Sequence, residues 1–276
     1  MPELPEVETI RRQLAPVLEG RTIESVVVSD RRWVAPAPVD QFTRALAGRT
    51  ITQAARRGKY FLFHLDDTAT LVMHLRMTGN LLYLSEATAA PATHLRGSLQ
   101  LDGGAAVAFV DPRRFGTAKL IGSVEELDAF LAARLGPEPF DQAFSGELLH
   151  RQTRGRKTSI KAVLLDQRRV AGIGNIYADE ALFRAGVAPH RRAGSLTRAQ
   201  CLRLRDTVRD ALAAGIEAKG ASIDDFRDAY GVQGSFQDHF LVHRREGLPC
   251  PACRTPITKT RVAGRGTYFC QACQRA

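Results

Sequence analysis

Acidic side chains are under-represented: 29 Asp and Glu face 39 Lys and Arg, which leaves the 276-residue chain a formal charge of +10. That balance favours a polyanionic partner without requiring one. Long hydrophobic runs are missing too. Nowhere do about 18 apolar residues follow one another, the length that a bilayer-spanning helix needs. The opening Met1-Pro2-Glu3-Leu4-Pro5-Glu6 is acidic and broken by proline, so it lacks the basic and apolar regions of a secretory signal. A cytoplasmic location with no membrane partner is therefore expected. Cysteine is scarce, at five residues, and in a reducing compartment so few point to a metal before disulfides. No segment repeats and none is of low complexity.

What is present is ordinary globular composition, with length enough for two domains or one with appendages. Val7, Ile10, Leu14, Val17 and Leu18 recur at helical spacing, with Pro5 near the first turn and Gly20 past the end, so residues 5–18 read as one amphipathic helix. β-rich stretches follow at 22–29, 51–65, 70–77 and 80–84, with a hairpin over 95–110 turning at Asp102-Gly103-Gly104. Around 135–156 the pattern dissolves, and Gly136-Pro137-Glu138-Pro139 marks a linker. Residues 159–165, 175–185 and 196–218 are helical by periodicity; Thr197 and Gln200 have capping-box spacing before the last, and Gly220 follows it. The expected class is α+β: an N-terminal antiparallel β domain with a leading helix over 1–134, a linker over 135–156, a helical domain over 157–235 and a small cysteine-bearing hairpin over 240–276.

Cys250-x2-Cys253 and Cys270-x2-Cys273, sixteen residues apart, have the spacing of a four-thiolate zinc ribbon. Four thiolates close the shell, so one structural zinc ion is expected. The same stretch carries Arg254, Lys259, Arg261, Arg265 and Arg275 with no Asp or Glu, a hairpin suited to phosphate contact. Cys201, among Leu202, Leu204 and Val208, reads as a small core residue.

The amino terminus admits two readings. Glu3, Glu6 and Glu8 could simply complement the positive end of the first helix. Alternatively, removal of Met1 before the small Pro2 exposes a secondary amine with a pKa of about 8, partly unprotonated at neutral pH. Such an amine can attack C1′ of a nucleoside and expel the base; the resulting iminium acidifies the C2′ hydrogen and permits elimination of the 3′ phosphate. That chemistry needs a carboxyl beside the amine, and Glu3 is adjacent. With Met1 retained, the Pro2 nitrogen would be an inert amide.

Six landmarks then stand in register: the opening octet Met1-Pro-Glu-Leu-Pro-Glu-Val-Glu, Arg-Gly-Lys59-Tyr, His74-Leu-Arg-Met77-Thr-Gly, Asp111-Pro-Arg113-Arg-Phe115-Gly, Gly-Ile-Gly-Asn175-Ile-Tyr, and the cysteine pairs. With these the chain resembles formamidopyrimidine-DNA glycosylases from end to end. The resemblance implies a β-sandwich, then a helix-two-turns-helix domain and a zinc-ribbon hairpin, with duplex DNA carrying oxidised bases bound between the halves of a monomer. It implies excision of 8-oxoguanine and formamidopyrimidines, followed by strand cleavage through β,δ-elimination. By similarity Pro2 is the Schiff-base nucleophile, Glu3 the general acid, Glu6 a supporting carboxylate, and Lys59 approaches the lesion and its phosphate. Met77, Arg113 and Phe115 match residues that fill the duplex after base flipping, while His74, Asn175 and Arg265 match phosphate contacts. Taken alone, Met77 and Phe115 would be core residues, His74 a satisfied core histidine, Asn175 a helix cap, and Lys59 and Arg265 solvated cations.

The chain departs from the family at Ala221-Ser222-Ile223-Asp224-Asp225, where a basic residue is usual in the lesion loop, and at His243-Arg244-Arg245, where Tyr-Gly-Arg is usual. The resemblance therefore implies the chemistry and not the family's base-recognition details. Two rivals remain: an oxidised-pyrimidine glycosylase of the same fold, and a zinc-ribbon DNA-binding protein without catalysis.

Overall fold

The structure is a computed structural model that describes residues 2–86, 93–223 and 226–275. The chain forms two compact units: the residues up to Ala132 together with Ala218–Ser235, and Ala133–Glu217 together with the residues from Phe236 on. By packing, 218–235 goes with the first unit although chain order sets it beside the helices that precede it.

In the first unit, helix α1 (Leu4–Leu18) is followed by β1 (Ile23–Val28), α2 (Val39–Leu46), β2 (Ile51–Arg57), β3 (Tyr60–Leu65), β4 (Thr70–His74), β5 (Asn80–Leu84), β6 (Leu95–Leu101), β7 (Ala106–Val110), β8 (Thr117–Ile121) and α3 (Val124–Ala132). The strands form two four-stranded antiparallel sheets, ordered β1-β6-β7-β5 and β2-β3-β4-β8. Alternation on β3 places apolar side chains on both of its faces. Phe61, Phe63 and Leu65 face a shared core with Val7, Ile10 and Leu14 of α1 and Leu99, Val107 and Phe109 of the other sheet. Leu62 points the opposite way, into a smaller cluster with Val72, Ile121 and Leu127 of α3. The stretch expected as one β segment over 51–65 is two strands, because Gly58 at φ 59° turns the chain.

The segment 218–235 is bound to the sandwich by backbone and side-chain hydrogen bonds. Tyr83 N–H donates to Ala229 O at 2.8 Å, Gln13 Nε2 donates to Asp228 at 2.7 Å, and Ala229 N–H donates to Gln13 at 3.0 Å. Phe226 and Ala229 join the sandwich core.

The second unit holds α4 (Gly146–Thr153), α5 (Ile160–Leu165), α6 (Asn175–Ala185) and α7 (Arg198–Glu217), then the antiparallel hairpin of β9 (Thr258–Val262) and β10 (Arg265–Phe269). Four helices followed by a cysteine-bearing hairpin stand in the order that the resemblance implies. Helix α4 lies inside 135–156, where Gly and Pro content suggests only linker. The Gly-Pro run ends at Pro139, Ser145 caps the helix by accepting from Leu148 N–H at 3.0 Å, and Gly146 lets it pack closely, since a Cβ there would sit 2.7 Å from Leu202 Cα of α7. Arg209 of α7 binds the supposed linker by donating to the carbonyls of Pro139, Asp141 and Phe144. No helix among the described residues is long and apolar enough to cross a membrane.

Gly97 tests the packing of the sandwich. Its Cβ position lies 2.2 Å from the ring of Trp33, which is 2% exposed and fixed between Phe109 and Phe42. Gly97→Ala should destabilise the protein by about 1–3 kcal/mol through overpacking, read as a lower urea midpoint at unchanged m-value.

Candidate active site

The first residues are far from a free tail. Pro2 is buried, and Glu3 and Glu6 are each 1% exposed. Glu6 is held at both carboxylate oxygens. Oε2 accepts from Glu3 N–H at 2.8 Å, and Oε1 accepts from Ala221 N–H at 2.8 Å. Gly220 makes the second bond possible, because it adopts φ 82° and a Cβ there would lie 2.8 Å from Glu6 Cγ. One residue thus joins the start of α1 to the segment carrying the sequence departure at 221–225. Asp224 and Asp225 of that departure, and Met1, lie outside the described residues.

Lys59 occupies the turn between β2 and β3 and is 5% exposed, so it is no ordinary solvated lysine. The turn is braced from behind. Arg56 donates to Gly58 O at 2.8 Å and to Glu8 at 3.1 Å, and Glu8 also accepts from Arg11 and Arg12. Burial works to raise the Glu8 carboxyl, but the hydrogen bonds from Arg11, Arg12 and Arg56 outweigh it and hold the group at about 2. In the sequence Glu8 reads only as a partner of the helix dipole, although Arg11 and Arg12 at i+3 and i+4 are a usable signal.

His74 ends β4 opposite Tyr60, whose ring meets it edge-on at 4.6 Å. Its Nδ1 accepts from Arg76 N–H at 2.9 Å, so the neutral ring carries its proton on Nε2, a donor fit for a phosphate oxygen. Burial, with the nearby charges of Arg76 and Lys59, depresses its pKa to about 3. Beyond it, Met77 is half-buried, whereas Arg113 is exposed and Phe115 is 51% exposed. Phe115 is therefore not a core residue. The Arg113 guanidinium stacks on its ring at 4.9 Å.

In the second unit Asn175 opens α6 but does not cap it. Gly174 is the N-cap, while Asn175 Nδ2 donates to Gly266 O in β10 at 2.9 Å. Arg265, exposed at the start of β10, is presented beside that contact by a two-residue turn with Ala263 at φ 50° and Gly264 at φ 73°. A buried network beneath fixes the hairpin. Lys161 Nζ donates to Asp179 at 2.6 Å and to Thr267 Oγ1 at 2.7 Å, and Asp179 also pairs with His243 Nδ1 at 2.9 Å. Glu180 accepts from the backbone N–H groups of Leu241, Val242 and His243. Of these only His243 stood out in the sequence, as a departure without a role.

The four cysteine Sγ atoms lie within 4.8 Å of one another. Cys253 to Cys270 is 3.4 Å and Cys250 to Cys273 is 3.8 Å, near the edge of roughly 3.8 Å that a tetrahedron with Zn–S of about 2.3 Å requires. Four soft sulfur donors at tetrahedral spacing are a donor set that suits a zinc dication. The four residues form the structural zinc site. Cys201 is fully buried against Thr153, a core residue.

Three family descriptions match the chain in order: the formamidopyrimidine-DNA glycosylase N-terminal domain over residues 1–118, its H2TH domain over 135–227, and the zinc finger found in FPG and IleRS over 247–276. The formamidopyrimidine-DNA glycosylase of Desulforamulus reducens is 44% identical over 277 residues, covering 100% of both chains. The chain belongs to the formamidopyrimidine-DNA glycosylase family. It is thus a DNA-repair glycosylase, and since the match is not confined to the ribbon, the reading as a non-catalytic zinc-ribbon protein falls. A Chloroflexus aggregans relative of the same name is 45% identical over 99% of this chain and 98% of its own. Among solved structures, a variant of Lactococcus lactis FPG with DNA containing Fapy-dG is 35% identical with a TM-score of 0.93, covering 100% of both chains. A complex of Lactococcus lactis Fpg with abasic-site DNA gives the same TM-score.

Two outcomes follow. Metal analysis should find one zinc per chain, and Cys270→Ser should lose it together with the hairpin's protection from proteolysis. For His74, the folded pKa of about 3 lies below the ordinary 6.5, so the unfolded chain binds the proton first. Its contribution to stability is full above pH 6.5 and is lost as pH falls toward 3, at up to about 1.4 kcal/mol per pH unit. Glu8 adds its own loss only below 4.5, toward its folded value of about 2. Denaturation between pH 6.5 and 4.5 should therefore show a shallower slope for His74→Gln than for the wild type.

Proposed function

We propose that this chain, with Met1 removed, excises 8-oxoguanine and formamidopyrimidines from duplex DNA and then cuts the strand, using the Pro2 imino nitrogen as nucleophile. The observation that carries the reading is a carboxyl residue, Glu3, at 1% exposure immediately beside buried Pro2. Burying a carboxyl is unfavourable, and such groups concentrate where a proton must be moved.

Pro2 nitrogen bonds to C1′ as the bond to the base breaks, and the proton lost from Pro2 goes to the departing base; the Glu3 carboxyl then protonates the sugar ring oxygen, the C1′–O bond opens, and the iminium forms. The iminium then lowers the barrier to loss of the C2′ proton, and the 3′ phosphate leaves; a second elimination releases the 5′ phosphate, and water frees Pro2. Glu6 holds the backbone on which Glu3 sits. Lys59 and the Nε2–H of His74 meet phosphates on one part of the strand, and Asn175 and Arg265 meet them on another. Arg113 bonds the orphaned cytosine, and Phe115 and Met77 fill the emptied stack, offsetting an unstacking cost of a few kcal/mol. The +10 charge and the acid-free ribbon support a DNA partner. A Lactococcus lactis FPG complex with DNA carrying an oxidised pyrimidine favours a second reading in which pyrimidine lesions are also accepted.

Borohydride added during turnover on an 8-oxoguanine duplex should trap a covalent adduct whose protein mass lacks Met1. Glu3→Gln should slow base release by about a hundredfold or more. An active enzyme that yields no adduct, or one that keeps Met1, rules out the proposed nucleophile, as does a Pro2→Gly variant that cleaves at the wild-type rate.

A further inference from the structure

We propose that Asp111 and Thr78 are positioning residues that lock the 75–79 loop, which carries Met77, to the 112–116 loop, which carries Arg113 and Phe115, so that the filling side chains enter the duplex as one unit. The inference rests on the insertion role proposed for those side chains. Asp111, fully buried after β7, bonds both loops. Its Oδ2 accepts from Phe115 N–H at 2.8 Å and Gly116 N–H at 2.7 Å. Its Oδ1 accepts from Arg113 N–H at 3.2 Å and from the Thr78 hydroxyl. Thr78 Oγ1 shares that Arg113 N–H at 3.3 Å. One hydroxyl therefore connects the loop before β5 to the loop before β8.

The backbone of both loops is shaped around the same support. A Cβ on Gly79 would lie 2.5 Å from Leu75 O and 3.0 Å from Phe109 Cζ, and a Cβ on Gly116 would lie 2.2 Å from that same Cζ. Phe109 is itself stacked on Trp33. Each loop also holds one side-chain-bearing residue in the left-handed region, Arg76 at φ 56° and Arg114 at φ 60°, a conformation that persists where the surroundings over-determine it. The result is a rigid base under exposed tips. An aromatic side chain held in place before contact loses little further ordering entropy on insertion, and a fixed spacing lets Arg113 find its partner as Phe115 fills the stack.

A merely structural clamp would affect every step alike, so the test compares two substrates. Thr78→Val keeps the volume and every backbone bond to Asp111 but removes the link between loops. Excision from an 8-oxoguanine:cytosine duplex should slow by about tenfold, the order expected for one lost positioning bond. Cleavage of a preformed abasic site, which has no base to extrude, should stay within about twofold. The fluorescence rise of 2-aminopurine beside the lesion should slow in parallel, and Thr78→Ser should restore both. Asp111→Asn, which sets a donor against backbone N–H groups, should shift the same ratio further. Equal loss on both substrates, or no loss on either, overturns the coupling. Wild-type protein that processes neither substrate would instead overturn the functional reading beneath it, and the coupling with it.

Discussion

The Glu6 carboxylate is the constraint around which the first unit is organised. One oxygen is committed to Glu3 N–H and the other to Ala221 N–H, so the orientation of the amino terminus and the position of the 218–235 segment are set together. Two buried backbone donors satisfied by one charged group form a strong arrangement, because either left alone would carry a desolvation penalty. Pro2 and Glu3 thus lead into a capped helix with a fixed direction.

Charge placed behind the residues proposed to contact DNA is a recurring device. Glu8 gathers Arg11, Arg12 and Arg56, and Arg56 braces the turn that presents Lys59. Asp111 gathers four donors beneath Arg113 and Phe115. In the second unit the Lys161–Asp179 pair, both fully buried, underlies the backbone of β10 beside Arg265. Buried pairs of this kind contribute little net stability against an apolar alternative but fix geometry strictly, since breaking one leaves an uncompensated charge.

Much of the fold could be read in advance wherever one residue period dominated. The α1 periodicity, the turn at 102–104 and the cysteine spacing each reflect a local rule, and each element stands where that rule puts it. Helices α2 and α3 and strand β8 were not anticipated: they are short, and their apolar residues matter only against partners distant in sequence, as Leu127 does against Leu62. Helix α4 hid behind neighbouring prolines for the same reason.

By itself the sequence determined the inventory of chemistry: a proline followed closely by carboxyl residues, four cysteines at ribbon spacing, and a cationic surplus. These depend on residue identity and short spacing, which the chain carries directly. Only the tertiary structure decided that 218–235 packs on the sandwich, that Phe115 projects while Phe109 is sealed beneath it, that Asn175 binds β10 instead of capping α6, and that Asp111 and Glu8 are braces. Each of those depends on which buried donors happen to face which acceptors across long loops, and that pairing is settled by burial, where every polar group must find a partner.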